Sequence, residues 1–179
     1  MSEPLLIVDV QVGFINSFTH HIPQRIAALI NSGNYSKLIF TRFINSTDGP
    51  YQRFLDWHNC DCEPEINIAA ELQPFVEQNL VFSKPGLCGI TDELASYLRE
   101  HHAERVFIVG IDTDMCVLKI AMDIFDIGIE PVVLTDCCAS TAGLQAHLAG
   151  LAVLSRNIGA QRLLEGGVGN GSLAAPPQN

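Results

Sequence analysis

The segment "GIDTDMCVLKIAMD", Gly110 to Asp123, puts a cysteine, Cys116, on the first turn of what reads as an amphipathic helix, directly after the apolar run "RVFIVG". Thiols become reactive in that position. A helix N-terminus carries about half a positive charge and a set of unpaired N–H groups. Both favour a thiolate, and the same N–H groups can receive an oxyanion. The competing reading is a cysteine that packs like a small apolar side chain, since free cysteine is among the most buried residue types. Pattern alone does not separate the two.

Two charged residues occupy comparable positions. Asp9 ends the apolar run "PLLIVDV", where an unpartnered carboxylate is costly to bury. It reads either as a general base for Cys116 or as a structural or helix-capping acid. Lys84 ends "LVFSK" and precedes Pro85, which biases it towards an extended backbone. It reads as the counter-charge to Asp9 or as a solvated surface lysine. Asp112 and Asp114 flank the cysteine turn, and favourable interaction with the helix dipole suffices to explain them. Asp136, at the end of a further apolar run, reads as a hydrogen-bond partner for loop backbone. Phe14, Phe54 and Trp57 suit either an apolar pocket or the core. His147, on a helical stretch with Leu144, Leu148 and Leu151, reads as a core or interface histidine.

The elements that must position these residues alternate. Continuous apolar runs at Pro4–Val10, "SKLIFTRF", "LVFSK", "ERVFIVGI" and "EPVVLTDC" predict strands buried on both faces. Between them, Ile22, Ile26, Leu29 and Ile30, then Leu94, Tyr97 and Leu98 behind a capping Thr91, then "TDMCVLKIAMDIFDIG" and "GLQAHLAGLAVLSRNIG" have helical spacing. Short helices are expected at Tyr51–Trp57 and around Glu71–Gln78, inside a long irregular stretch of the kind that usually covers a site. Strands alternating with helices predict a three-layer α/β/α domain with a mostly parallel sheet. Such sheets bind ligands beyond the carboxyl ends of their strands. Asp9, Lys84, Cys116 and Asp136 all lie at or just past predicted strand ends, so the fold is expected to gather them at one edge.

Composition narrows the function classes. Hydrophobic residues make up 47% of the 179 and charged residues 17%, a surplus of apolar side chains that suggests a subunit interface and hence a homodimer or higher homo-oligomer. A net charge of −10 and the lack of any Lys/Arg run argue against a nucleic-acid groove or an anionic membrane surface. No apolar stretch approaches the ~18 residues of a membrane span, and the N-terminus does not read as a signal peptide, so the cytoplasm is the expected compartment. The six cysteines (Cys60, Cys62, Cys88, Cys116, Cys137 and Cys138) read as thiols. C-x-C and C-C spacings do not match a zinc knuckle. One domain is expected over residues 1–164, with a disordered Gly/Pro/Ala-rich tail at 165–179.

Taken in order, "LLIVDVQVGF", the strand-end lysine of "SKPG" and "VGIDTDMCVLKIAMDIFDIG" resemble the three signature segments of the isochorismatase-like cysteine hydrolases, a superfamily that includes nicotinamidases and N-carbamoylsarcosine amidases. The resemblance runs from about Leu5 to Gly159. It implies a Rossmann-like sheet of about six strands. It also implies a catalytic triad of Asp9, Lys84 and Cys116, a cis peptide joining Ile111 to Asp112, and an oxyanion hole from the backbone N–H groups of Asp112 and Cys116. Many members read serine and then an aromatic after the lysine, where this chain has "PGLCGIT", and Phe14, Trp57 and Cys88 are the candidate pocket residues. The presence of Cys116 points towards amide-type rather than vinyl-ether chemistry. Nicotinamidases carry a D-x-H metal motif shortly after the second strand. Here "TRFINSTDGPYQRF" has none, with Arg42 and Asn45 in its place, so neither a metal nor another cofactor is expected.

The implied reaction is hydrolysis of a C–N bond in a small amide or carbamoyl compound. The alternative within the same fold is a catalytically silent domain that binds a small molecule or a partner. A receiver domain fits poorly, because the third predicted strand ends in Lys84 rather than an acid. A flavodoxin fits poorly because "DVQVGFINSF" is not a phosphate loop.

Overall fold

Strand β1, Leu5–Val8, is fully buried on both faces and forms the axis of the molecule in the computed structural model, which describes residues 3–33, 35–77, 80–86 and 89–166. Five further strands flank it: β2 (Leu38–Phe43), β3 (Val81–Lys84), β4 (Arg105–Ile111), β5 (Glu130–Ala139) and β6 (Leu163–Leu164). All pairings are parallel, in the order β3-β2-β1-β4-β5-β6. The chain therefore builds outward from β1 in one direction and then returns to its other side. That reversal opens a crevice at the carboxyl ends of β1 and β4, where such sheets bind ligands.

Side chains alternate across the sheet. Leu6 and Val8 of β1 join Ile39, Ile108 and Val133 on one face, against α3 (Asp92–Glu100), α4 (Leu118–Asp126) and α5 (Leu144–Ile158). Leu5 and Ile7 join Phe40, Val109 and Val132 on the other face, against α1 (Ile22–Ser32) and a 3-10 turn at Ala70–Phe75. The helices form for readable reasons. In α1, Ile22, Ile26 and Leu29 recur one turn apart and are buried, and Pro23 sits in the first turn, where its missing N–H costs nothing. In α3, the Thr91 side chain accepts a bond from Leu94 N at 3.2 Å, while Asp92 and Glu93 stand at the positive end and Arg99 at the other.

Several elements differ from the sequence reading. The helix expected over Tyr51–Trp57 is α2, Pro50–Leu55, and the one expected near Glu71 is a 3-10 segment, Ala70–Phe75, that contains Pro74. β5 continues past Cys137 to Ala139, so Asp136 lies within it; the expectation that its carboxylate binds backbone fits the bond that Oδ1 accepts from Gly166 N at 2.5 Å. β6 has only two residues, too few to give a period, and the sequence offers no signal for it. Most of the tail, 167–179, and Cys88 lie outside the described residues. No helix among the described residues is long and apolar enough to cross a membrane.

Candidate active site

Asp9 is the first residue beyond β1 and adopts a left-handed backbone conformation, φ 48°, which is unusual for a residue with a β-carbon. It is fully buried. Thr41 of β2 holds it twice: the Asp9 amide donates to Thr41 Oγ1 at 3.2 Å, and that hydroxyl donates to Asp9 Oδ1 at 2.7 Å. Two residues on, Gln11 fastens the same segment to its surroundings. Its Nε2 donates to the carbonyls of Phe43 (2.9 Å) and Ile66 (3.1 Å), and its Oε1 accepts from Phe43 N at 2.7 Å.

Lys84 is the last residue of β3, in register with Phe43 of β2. It is 1% exposed, among the most deeply buried large side chains. Its Nζ lies 2.7 Å from Asp9 Oδ2, donates to Gly86 O at 3.1 Å and donates to Cys116 Sγ at 3.4 Å. The Phe43 ring lies beneath it, 5.5 Å from Nζ to the centroid. An ammonium in so dry a place needs compensation, and one carboxylate, one carbonyl, one sulfur and one aromatic face supply it.

Cys116 does not open an α-helix as the pattern suggested. Thr113–Val117 form a wider π-type turn, closed by Val117 N donating to Asp112 O at 3.0 Å, and α4 begins only at Leu118. The peptide between Ile111 and Asp112 is cis, as the resemblance implied. The thiol is 8% exposed. Burial pushes the thiol well up from its ordinary value, Asp9 adds to this, and Lys84 offsets only part of it. The expected thiolate-favouring effect of the helix end is thus outweighed. For Lys84, burial opposes the ammonium, but Asp9 and Cys116 together outweigh it and raise its value. The arrangement sets the Lys84 amine against both the Asp9 carboxylate and the Cys116 sulfur.

Asp112 departs from its reading as a helix-dipole acid. Its carboxylate accepts from Thr141 N at 2.6 Å and Thr141 Oγ1 at 2.8 Å, clamping the loop after β5 to the cysteine turn. Burial pushes its carboxyl up, and the Thr141 bonds pull it back. His147 of α5 is half-buried and pairs through Nδ1 with Thr113 Oγ1 at 2.8 Å, so it braces the same turn. Phe14 and Trp57 lie nearly parallel, 6.2 Å apart, and Phe43 and Tyr51 complete a four-ring cluster with them. Phe54 is 72% exposed and points away, under Arg53. Thr41, Gln11, Tyr51 and Thr141 were missed from sequence because hydroxyls, amides and rings inside ordinary elements carry no spacing signal. Cys60, Cys62, Cys116, Cys137 and Cys138 are all free thiols. Two clefts of about 370 and 550 Å³ lie elsewhere, and neither includes Asp9, Lys84 or Cys116.

The isochorismatase domain family matches residues 3–163, nearly the whole described chain. The chain belongs to the isochorismatase family. Its fold is shared with solved members of that family and its relatives. An isochorismatase-like hydrolase from Alkaliphilus metalliredigens superposes with a TM-score of 0.76 at 20% identity, covering 88% of this chain and 92% of that one. The nicotinamidase from Bacillus subtilis gives 0.73 at 22% identity, covering 90% and 98%. The N-carbamoylsarcosine amidase from Thermoplasma acidophilum gives 0.71 at 19% identity, covering 89% and 94%.

Arg42 and Asn45, which stand where nicotinamidases carry the metal motif, supply neither an imidazole nor a carboxylate. Phe43 lies under Lys84, and both Asn45 amide protons go to carbonyls, of Trp57 at 2.9 Å and Asn59 at 3.0 Å. The triplet Asp56-Trp57-His58, farther along the chain, does have D-x-H spacing. Its carboxylate and imidazole face solvent, 97% and 60% exposed, and bind each other at 3.1 Å. Among the described residues no group of three or more His, Cys, Asp or Glu could hold a metal ion.

Proposed function

We propose that this chain is a cysteine hydrolase that cleaves the C–N bond of a small amide or carbamoyl compound through a thioester on Cys116. The observation that carries the reading is Lys84 Nζ standing 2.7 Å from Asp9 Oδ2 and 3.4 Å from Cys116 Sγ at the carboxyl edge of the sheet. Asp9 takes the thiol proton as Sγ attacks the carbonyl carbon. The oxyanion rests on the backbone N–H groups of Asp112 and Cys116. The C–N bond then breaks as Asp9 returns the proton to the departing nitrogen, leaving a thioester. Asp9 next takes a proton from water, the hydroxide attacks the thioester carbonyl, and the C–S bond breaks as the sulfur regains a proton, releasing the acid. Lys84 remains an ammonium throughout and stabilises whichever partner is negative. Phe14 and Trp57 form apolar walls for the substrate.

Ammonia release from a panel of small amides and carbamoyl compounds tests the reading, with Cys116→Ala as control. Turnover by the parent chain and none by the variant supports it. No release from any member, together with Cys116 alkylation no faster than that of the other thiols, points to a silent binding domain instead. The exposed apolar side chains Phe18 (53%), Leu144 (65%) and Leu148 (48%) support assembly as a homodimer or larger. Light scattering that shows only a 19.5 kDa species at micromolar concentration contradicts that assembly.

A further inference from the structure

We propose that Thr41 is a positioning residue for the proton relay: its hydroxyl locks the Asp9 carboxylate so that Oδ1 is occupied and Oδ2 alone is presented to Lys84 and Cys116. The inference rests on the hydrolase reading above, since it concerns how the base of that reaction is held.

The Thr41 hydroxyl has one proton to give and lone pairs to receive. It receives from Asp9 N at 3.2 Å and gives to Asp9 Oδ1 at 2.7 Å. Backbone and side chain of one residue are thus fixed by a single oxygen on the neighbouring strand. Thr41 is 2% exposed and Asp9 is fully buried, so water does not compete for these bonds. Asp9 has left the strand with a positive φ and lacks the pairing that holds Leu5, Leu6 and Ile7 to β2. The Thr41 oxygen substitutes for that lost pairing at the residue that must not move. A carboxylate free to rotate about its last bond would offer either oxygen to the ammonium. Reacting groups tolerate only small displacements before rates fall steeply. The arrangement also sets direction: with Oδ1 committed to a donor, the proton taken from sulfur goes to Oδ2, beside Lys84.

The experiment uses iodoacetamide as the probe, so that no natural substrate is needed. Alkylation of Cys116 at neutral pH is followed by peptide mass, separately from the other five cysteines. Asp9→Asn, Thr41→Val, Thr41→Ala and Thr41→Ser are compared with the parent, each checked for folding by circular dichroism and thermal melt. Val keeps the shape and removes the hydroxyl; Ala supplies the same loss should Val fail to fold; Ser keeps the hydroxyl. The expected result is alkylation slowed about ten- to a hundredfold in Thr41→Val or Thr41→Ala, the range for losing a hydrogen bond to a charged group, and restored to within about threefold in Thr41→Ser. Where a panel compound is turned over, kcat falls by a similar factor with KM little changed. If Asp9→Asn slows alkylation but Thr41→Val and Thr41→Ala do not, the positioning role is wrong and the hydrolase reading stands. Equal slowing in Ser and Val makes Thr41 a packing residue and also overturns the proposal. If Asp9→Asn itself has no effect, the base assignment fails, and the inference fails with it.

Discussion

Asp9 Oδ2 and Lys84 Nζ form an ion pair at 2.7 Å with no side-chain surface open to solvent on either partner. Asp9 directly follows β1 and Lys84 ends β3, two strands separated in the sheet by β2. Breaking such a pair on one side leaves an uncompensated buried charge, which costs about 3–5 kcal/mol. Lys84→Met is therefore expected to lower stability by about that amount and kcat/KM by about ten- to a thousandfold. The double variant Asp9→Asn/Lys84→Met should recover much of the stability and none of the activity. Urea unfolding of the single and double variants checks this. A Lys84→Met protein with parent-like stability and turnover would make the lysine dispensable.

Cys116→Ala is expected to abolish turnover while the fold persists, because the sulfur meets Lys84 but the core around it is built from Val117, Ile120 and Ala121. Ammonia release with any panel substrate that is active in the parent, beside a thermal melt, measures both. Activity above a few per cent of the parent in a folded variant excludes Cys116 as nucleophile.

Alkaline pH should unfold the protein early. Burial raises four thiols, with Cys60 and Cys137 pushed up to about 12 and Cys116 and Cys138 also raised. In the unfolded chain these thiols ionise near their ordinary value of 9.0. Groups with raised folded values contribute stability that is complete below the unfolded value and is lost as pH climbs towards the folded one. Near pH 10, one unit above the unfolded value, the loss is about 1.4 kcal/mol for each thiol and a few kcal/mol in all. Urea midpoints at pH 7.5, 9 and 10 should fall slightly across the first interval and more steeply across the second. A flat profile from 9 to 10 refutes the linkage.

Gly110 of β4 has φ 131°, a conformation essentially reserved for glycine. A β-carbon there would collide with the Val8 carbonyl oxygen and stand 2.8 Å from Val8 N. Gly110→Ala is expected to cost at least about 2–3 kcal/mol and to displace Asp9, the next residue after Val8. A melting temperature within a degree of the parent would show that the strand yields more easily than these contacts indicate.

Strands β1 to β5, their order along the chain and the convergence of Asp9, Lys84 and Cys116 were legible because fully buried parallel strands are written as unbroken apolar runs, and because each of the three residues interrupts or follows one. Spacing could not reveal what the three residues need. Thr41 sits inside "LIFTRF" as an ordinary β-branched strand residue, and only the register of β2 against β1 gives it Asp9 as a partner. The turn carrying Cys116 was read as the start of a helix because the apolar period of α4 runs into it unbroken. The wider turn arises from closure onto Asp112, a tertiary arrangement held by Thr141 from the loop after β5. The thiol's raised value was likewise invisible, since burial is a property of the assembled core.

β3 is the outermost strand on its side of the sheet, four residues long and paired only to β2. Edge strands with few cooperative partners open at lower free energy than central ones. The cation of the site therefore rides on the element most ready to peel, while the carboxylate hangs from the element least ready to. Sub-global opening would draw Lys84 away from Asp9 with β1, β4 and β5 still folded. Catalytic competence and global folding are then separable quantities. Hydrogen exchange should find the Val81–Lys84 amides less protected than those of Leu5–Val8, and mild urea should extinguish turnover before it disturbs the far-ultraviolet dichroism of the helices.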